Sequence, residues 1–229
     1  MEINSPSTLF VPPVVALLRE LAHADFFSHG LLIGSWPMVV YASHFTLSYG
    51  LVTDDIDFAV ENAVKVPAKA TETIPEILAR LGYTPLQDYS GIETFIHGTF
   101  EVEFLTHRRG SEAPPSVTIP PWKVSAQPLP FIDLLFIRPT LVKLDDFHIR
   151  IPSPEALLLH KLIIAQRRTG SARDFKKGKD LQQCSVLVEV ARAEEMQRLM
   201  QEYRLSKDTR KLIAASCAEA GIALDHIPS

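Results

Sequence analysis

Three stretches of this 229-residue chain collect side chains that can do chemistry. The first is Thr53-Asp54-Asp55-Ile56-Asp57-Phe58. On a strand, side chains alternate, so Asp55 and Asp57 share one face while Ile56 and Phe58 take the other. At ~5 Å and an effective dielectric of ~20, two such carboxylates repel by roughly 3 kcal/mol. A divalent cation or a shared proton offsets that cost, and a solvated edge strand carrying ordinary surface acids avoids it. The second stretch, Phe100-Glu101-Val102-Glu103-Phe104-Leu105, repeats the pattern with Glu101 and Glu103 on one face. These glutamates either face solvent or meet the aspartates in the sheet, where three converging carboxylates suit a hard divalent metal with oxygen ligands. The third is Leu32-Ile33-Gly34-Ser35-Trp36-Pro37, an apolar strand, a Gly-Ser turn and a helix start. Free N–H groups and a partial positive charge at that start are compatible with a phosphate, although Ser35 could simply cap its own helix.

A basic region lies further along. Residues 160–180 hold seven Lys/Arg against two Asp, a local net charge of +5 in a chain whose formal net charge is −4. Helical spacing groups Leu157, Lys161 and Ile164 within about 60°, which sets the lysine in an apolar stripe, either snorkelling to the surface or held for a purpose. Arg173, Lys177 and Asp180 share another face. Facing acidic strands, such a patch would supply the charge that a triphosphate needs beyond its metals; otherwise it is a solvated basic face. Arg108-Arg109 follows the second acidic strand and is a surface pair or a contact for phosphate. The eight histidines show no HxxxH or HExxH spacing, which argues against zinc, and neither GxxxxGK[ST] nor GxGxxG occurs.

The elements that must position these groups follow from local signals. Strands are expected at 29–34, 52–60, 92–96 and 99–106, the last two around a His97-Gly98 turn. Helices are expected at 13–24, 37–45 and 73–81, with Pro37 and Pro75 in first turns, where a missing N–H costs nothing. Nine of the seventeen prolines fall within 114–154, marking a seam of extended connections and short strands. A second hairpin is expected at 141–151 around Asp145-Asp146-Phe147. Ser153-Pro154-Glu155 then opens a helix running to about Thr169. Three more helices are expected at 172–192, 194–205 and 207–220.

Composition excludes several classes. With 46% hydrophobic and 22% charged residues the chain is neither disordered nor a bulk basic nucleic-acid binder. Cys184 and Cys217 form no metal or disulfide framework and fit a reducing compartment. The N-terminus lacks a basic n-region and an apolar h-region, and no apolar run reaches the ~18–20 residues of a membrane span, so a cytoplasmic protein without membrane contact is expected.

The order of Gly34-Ser35, a helix, Asp55-Ile56-Asp57 and then Glu103 on a later strand resembles the polymerase β-like nucleotidyltransferase superfamily. Ser153 to Leu162, with Lys161, Arg173, Lys179-Asp180 and Gln183 after it, is similar to the helical half of the bacterial AbiEii-type branch; residues 124–131 also look like that group. The resemblance covers residues 28–190. It implies an α+β fold, with a mixed-sheet nucleotidyltransferase domain at 1–150 (the proline seam at about 107–140) and a helical domain at 151–229. It also implies transfer of a nucleoside monophosphate from an NTP to an acceptor hydroxyl, with tRNA, protein or a small molecule as acceptor. Gly34 and Ser35 would hold the triphosphate. Asp55, Asp57 and Glu103 would be catalytic and bind Mg²⁺ or Mn²⁺, with Glu101 as a rival third acid. Lys161, Arg173, Lys179 and Asp180 would serve the nucleotide. The implied alternative is a non-catalytic nucleotide- or partner-binding module, one half of a toxin–antitoxin pair. Two departures stand out. Nineteen residues separate Ser35 from Asp55, more than in minimal members, and the third acid is Glu rather than the commoner Asp.

Overall fold

The computed structural model describes residues 1–50, 53–61, 72–89, 91–108, 110, 114–168 and 171–223, and of residues 171–173 the backbone alone. Along the chain run β1 (Glu2–Ser5), α1 (Pro12–His23), β2 (Gly30–Leu32), α2 (Pro37–Phe45), β3 (Asp55–Val60), α3 (Ile74–Arg80), β4 (Thr84–Gln87), β5 (Glu93–His97) and β6 (Phe100–His107). There follow β7 (Val117–Ile119), β8 (Val124–Leu129), β9 (Thr140–Leu144), β10 (Phe147–Ile151), α4 (Pro154–Ala165), α5 (Ser171–Leu187), α6 (Ala193–Tyr203) and α7 (Lys207–Ala220). Helix boundaries have local causes. Pro37 stands in the first turn of α2 and Thr46, at φ 57°, closes it. Thr73 and Glu76 form a reciprocal capping box on α3. The Ser153 hydroxyl accepts from the Ala156 amide at 3.2 Å to start α4. Gly221, at φ 68°, ends α7.

The larger sheet runs β2-β3-β6-β5-β4, with β8 also beside β6 and β7 beside β8. β3 and β6 are parallel, with Asp55 opposite Glu101 and Asp57 opposite Glu103. β8 adds in parallel along the last residues of β6, Leu105 opposite Gln127. A smaller sheet, β1-β9-β10, pairs the N-terminal strand in parallel with the 140–151 hairpin. The fold class is a mixed α+β arrangement, as expected. One apolar cluster runs from Ile3, Phe58 and Phe104 through Leu158 and Leu162 to Met196 and Ile213. A smaller one gathers Leu31, Ile33, Ala59, Leu105, Ile132 and Leu135 on the other side of the larger sheet.

The proline seam contributes more than connections. Its β8 belongs to the main sheet, and Pro128 fits there because β7 stops opposite Ala126, leaving the later part of β8 an edge. β1 and β4 were not expected. They are four-residue strands, too short for an alternation to stand out, and β4 is exposed throughout. α4 stops at Ala165 and α5 at Leu187, each some four or five residues before the expected end. Among the described residues, no helix is long and apolar enough to cross a membrane. Both cysteines are free and buried.

Candidate active site

Alternation on β3 and β6 sets the floor of the site. Ile56, Phe58, Val102 and Phe104 point into the main core and are at most 1% exposed. On the opposite face stand Asp55, Asp57, Glu101 and Glu103, and further along the same strands the row becomes apolar at Ala59 and Leu105. A cleft of about 430 Å³ opens over this face. It reaches Asp55, Asp57 and Glu103 on the sheet, Gly34 and Ser35 in the turn after β2, and Lys161, Lys176, Lys179 and Asp180 on α4 and α5. Glu101 does not line it, so Glu103 is the glutamate on the cleft. The side chain of Arg173 lies outside the described residues.

The Gly-Ser turn and the aspartate strand are tied together directly. The Ile33 amide donates to the Asp57 carbonyl at 2.9 Å. The Trp36 indole donates to the Asp55 carbonyl at 2.8 Å. Gly34 has φ +71°, and a Cβ there would overlap the Asp57 carboxylate oxygen and lie 3.1 Å from its carbon. Glycine is therefore required by the neighbouring carboxylate as well as by the backbone conformation. The spacing of Gly34 and Asp57 in the sequence gave no signal of this contact.

Electrostatics around the acids is unbalanced. Burial, then repulsion from Asp55, raises the Asp57 carboxyl above its ordinary range, against the pull of Lys161, Lys176 and Lys179. Burial, followed by Asp57 and Glu101, pushes Glu103 up to about 7. Two such acids ionise together only beside added positive charge. The lysines supply part of it: Lys176 Nζ lies 3.4 Å from Asp55 Oδ2. Lys179 is itself held below the usual lysine range, first by burial and then, among its charged neighbours, by Lys161.

The donor set of two aspartates and a glutamate is oxygen-only and fits Mg²⁺ or Mn²⁺ in kind. Among the described residues, no three carboxylate, imidazole or thiol groups are gathered closely enough to hold an ion by themselves. Mg²⁺ is commonly held by one or two carboxylates together with substrate phosphates and water.

Lys161 does not snorkel. It is 3% exposed, and its ammonium lies 3.0 Å from Asp180 Oδ1. Arg168 holds the other carboxylate oxygen at 2.6 Å. Burial alone would raise the Asp180 carboxyl, yet Lys161 and Arg168 keep it below its ordinary value. Beside them burial, then Lys161, pushes His160 down to about 3, so this imidazole is neutral. Lys177, grouped by helical spacing with Arg173 and Asp180, pairs instead with Glu219 on α7 at 2.7 Å. The lysine that turns to the acids is Lys176. Counting four back from Asp180 along α5 finds it, because residues so spaced share a face.

No curated protein matches the chain in sequence. Among solved structures, an antigenic nucleotidyltransferase-like protein from Paracoccidioides brasiliensis is similar at 16% identity and a TM-score of 0.47, over 93% of this chain and 94% of that one. The antibiotic-resistance factor ANT(2'')-Ia is similar at 13% identity and a TM-score of 0.43, over 94% of this chain and 97% of that one. The profile of a nucleotidyltransferase family matches residues 13–207, most of the length of the chain, and the chain belongs to that family.

Proposed function

We propose that this chain moves a nucleoside monophosphate from an NTP to an acceptor hydroxyl, releasing pyrophosphate, with Mg²⁺ or Mn²⁺ bound at Asp55, Asp57 and Glu103. The observation that carries the reading is the facing of two charged surfaces in one cleft: the acidic row on β3 and β6 against Lys161, Lys176 and Lys179, with the Gly34-Ser35 turn at its edge. The metal, when bound, would polarise the α-phosphate and lower the pKa of the attacking hydroxyl. The chain's own residues do the rest. The Gly34-Ser35 turn, where glycine lets a ligand approach the backbone closely, would receive the leaving pyrophosphate, and the Ser35 hydroxyl would add a donor. Lys176 and Lys179 neutralise phosphate oxygens that the acids would otherwise repel. Glu103 would help hold that metal beside the attacking hydroxyl. Rate then comes mainly from positioning and charge stabilisation. Arg173, whose side chain lies outside the described residues, completes the proposed nucleotide-binding set on α5.

The helical motif at Lys161 and Lys179-Asp180 supports the finer placement in the bacterial AbiEii-type branch, and the two free cysteines fit a cytoplasmic setting. Incubation with each α-labelled NTP, Mg²⁺ or Mn²⁺, and tRNA, protein and small hydroxyl acceptors tests the reaction. Label should move to one acceptor class with pyrophosphate release, and Asp55→Ala and Asp57→Ala should each abolish it. Transfer that survives Asp55→Ala would remove the assigned site. Metal-dependent NTP binding with no pyrophosphate released from any mixture would make the protein a binding module.

A further inference from the structure

α5 sends one more side chain to the Gly-Ser turn, and it comes from behind. Gln183 is fully buried, at 0% exposure. Its Nε2 donates to Ser35 Oγ at 3.0 Å and to Tyr49 Oη at 2.7 Å. Among the described residues its Oε1 is buried without a hydrogen-bond partner. A primary amide has two N–H groups, and both are committed here. The reversed amide would accept from the two hydroxyls and leave two buried N–H groups without acceptors. One under-satisfied carbonyl is the smaller defect, so the donating orientation is favoured.

This direction has a chemical consequence. A hydroxyl that receives a hydrogen bond from Gln183 still has its own proton to give. Ser35 lines the cleft at the entry to α2, so that proton is free to turn toward a ligand there. Had the partner been a carboxylate or a carbonyl, Ser35 would give its proton backward and meet the cleft with lone pairs, which repel a phosphate oxygen. Resting on the reading that the triphosphate lies at this turn, we propose that Gln183 is a positioning residue that fixes the Ser35 hydroxyl as a donor to a triphosphate oxygen. The same amide holds Tyr49, beyond the end of α2 and away from the cleft lining, as a second and purely structural bond.

The test is calorimetric titration with inorganic tripolyphosphate, and with each of the four NTPs, in the presence of Mg²⁺. Urea unfolding reports separately on the folding of every variant. Gln183→Met keeps the length and removes both donors; Gln183→Glu replaces donors by acceptors and stands in if the first does not fold. Either should weaken tripolyphosphate binding about tenfold to a hundredfold, the worth of one hydrogen bond to a charged group. Ser35→Ala should cost a similar factor, and Gln183→Met should add nothing in the Ser35→Ala background. Tyr49→Phe removes the other bond of the same amide and should lower stability while leaving binding unchanged. Binding by Gln183→Met at the wild-type level, full additivity of the double variant, or equal weakening by Tyr49→Phe would each overturn the positioning role alone. A wild type that binds neither tripolyphosphate nor any NTP would overturn the triphosphate reading, and this inference with it.

Discussion

Gly34 offers a clean separation of backbone strain from side-chain collision. Its φ of +71° makes any L-residue there strained, and a Cβ would overlap the Asp57 carboxylate. Gly98, in the turn between β5 and β6, has a similar φ of +61° but open space around the place a Cβ would occupy. Gly98→Ala therefore reports the left-handed penalty by itself, about 1–2 kcal/mol. Gly34→Ala carries that penalty and must also drive Asp57 from its rotamer, a further ~0.5–1.5 kcal/mol. The total, about 2–3 kcal/mol, corresponds to roughly 5–10 °C in Tm for a chain of this size. A carboxylate moved by about 1 Å should also reduce nucleotide transfer on the order of a hundredfold, whereas Gly98→Ala should leave transfer intact. Denaturant unfolding and the rate of label transfer from an α-labelled NTP, read on the two variants, measure both effects. Equal losses of stability with unchanged transfer in both would show that the Gly34–Asp57 contact does not constrain the site.

Two further predictions concern the charged groups. The Glu103 carboxyl, at about 7 in the folded protein against an ordinary value of 4.5, favours folding when protonated. The contribution of this carboxyl to the stability of the metal-free protein should thus be fully present below the ordinary value and be lost as pH rises through about 7, by at most about 3 kcal/mol and less after solvent screening. Urea midpoints at pH 5 and pH 8 should show this, and Glu103→Gln should flatten the difference; an unchanged slope in that variant would exclude Glu103 as the source. Asp180→Asn should leave the Lys161 ammonium buried beside a neutral partner and cost about 3–5 kcal/mol, while the pairwise change Lys161→Met with Asp180→Leu should recover most of it. A loss under about 1 kcal/mol in Asp180→Asn would mean that the pair holds little of the α4–α5 contact.

What could be read from the sequence was whatever repeats at the period of a single element. Asp55 and Asp57 alternate with Ile56 and Phe58, and the burial of β3 follows that alternation. Ser153-Pro154-Glu155 and Gly221 bound their helices because capping acts within one turn. The parallel register of Asp57 with Glu103 was not legible, since it joins strands more than forty residues apart in sequence and depends on the crossover between them. Nor was the partner of Lys161. An apolar stripe on α4 says that a lysine is in an awkward place, but only the packing of α5 shows that Asp180 meets it. Gln183 stood among the residues of the resemblance, but its partners were not legible, because a glutamine inside a polar helix shows nothing of its neighbours across the fold.

The polar contacts of α5 act together through its orientation. Asp180 reaches α4 through Lys161, Lys176 reaches Asp55 on β3, and Gln183 reaches Ser35 and Tyr49 around α2. Residues 176, 180 and 183 fall on one face of a helix, and a slip of one residue would turn all three away by about 100°. The Lys176–Asp55 pair is exposed on both sides, at 54% and 41%, so it adds ~0–1 kcal/mol to stability and yields easily to an anionic ligand. The buried pair is different: replacing such a pair with apolar groups is often neutral for stability, so its value here is register more than energy. It holds α5 in the one rotation that keeps Lys176 over the acids while Gln183 sits behind Ser35. Within a chain of net charge −4, an acidic and a basic surface thus face each other across one cleft, and the Lys161–Asp180–Arg168 cluster ties α5 to α4 beside them.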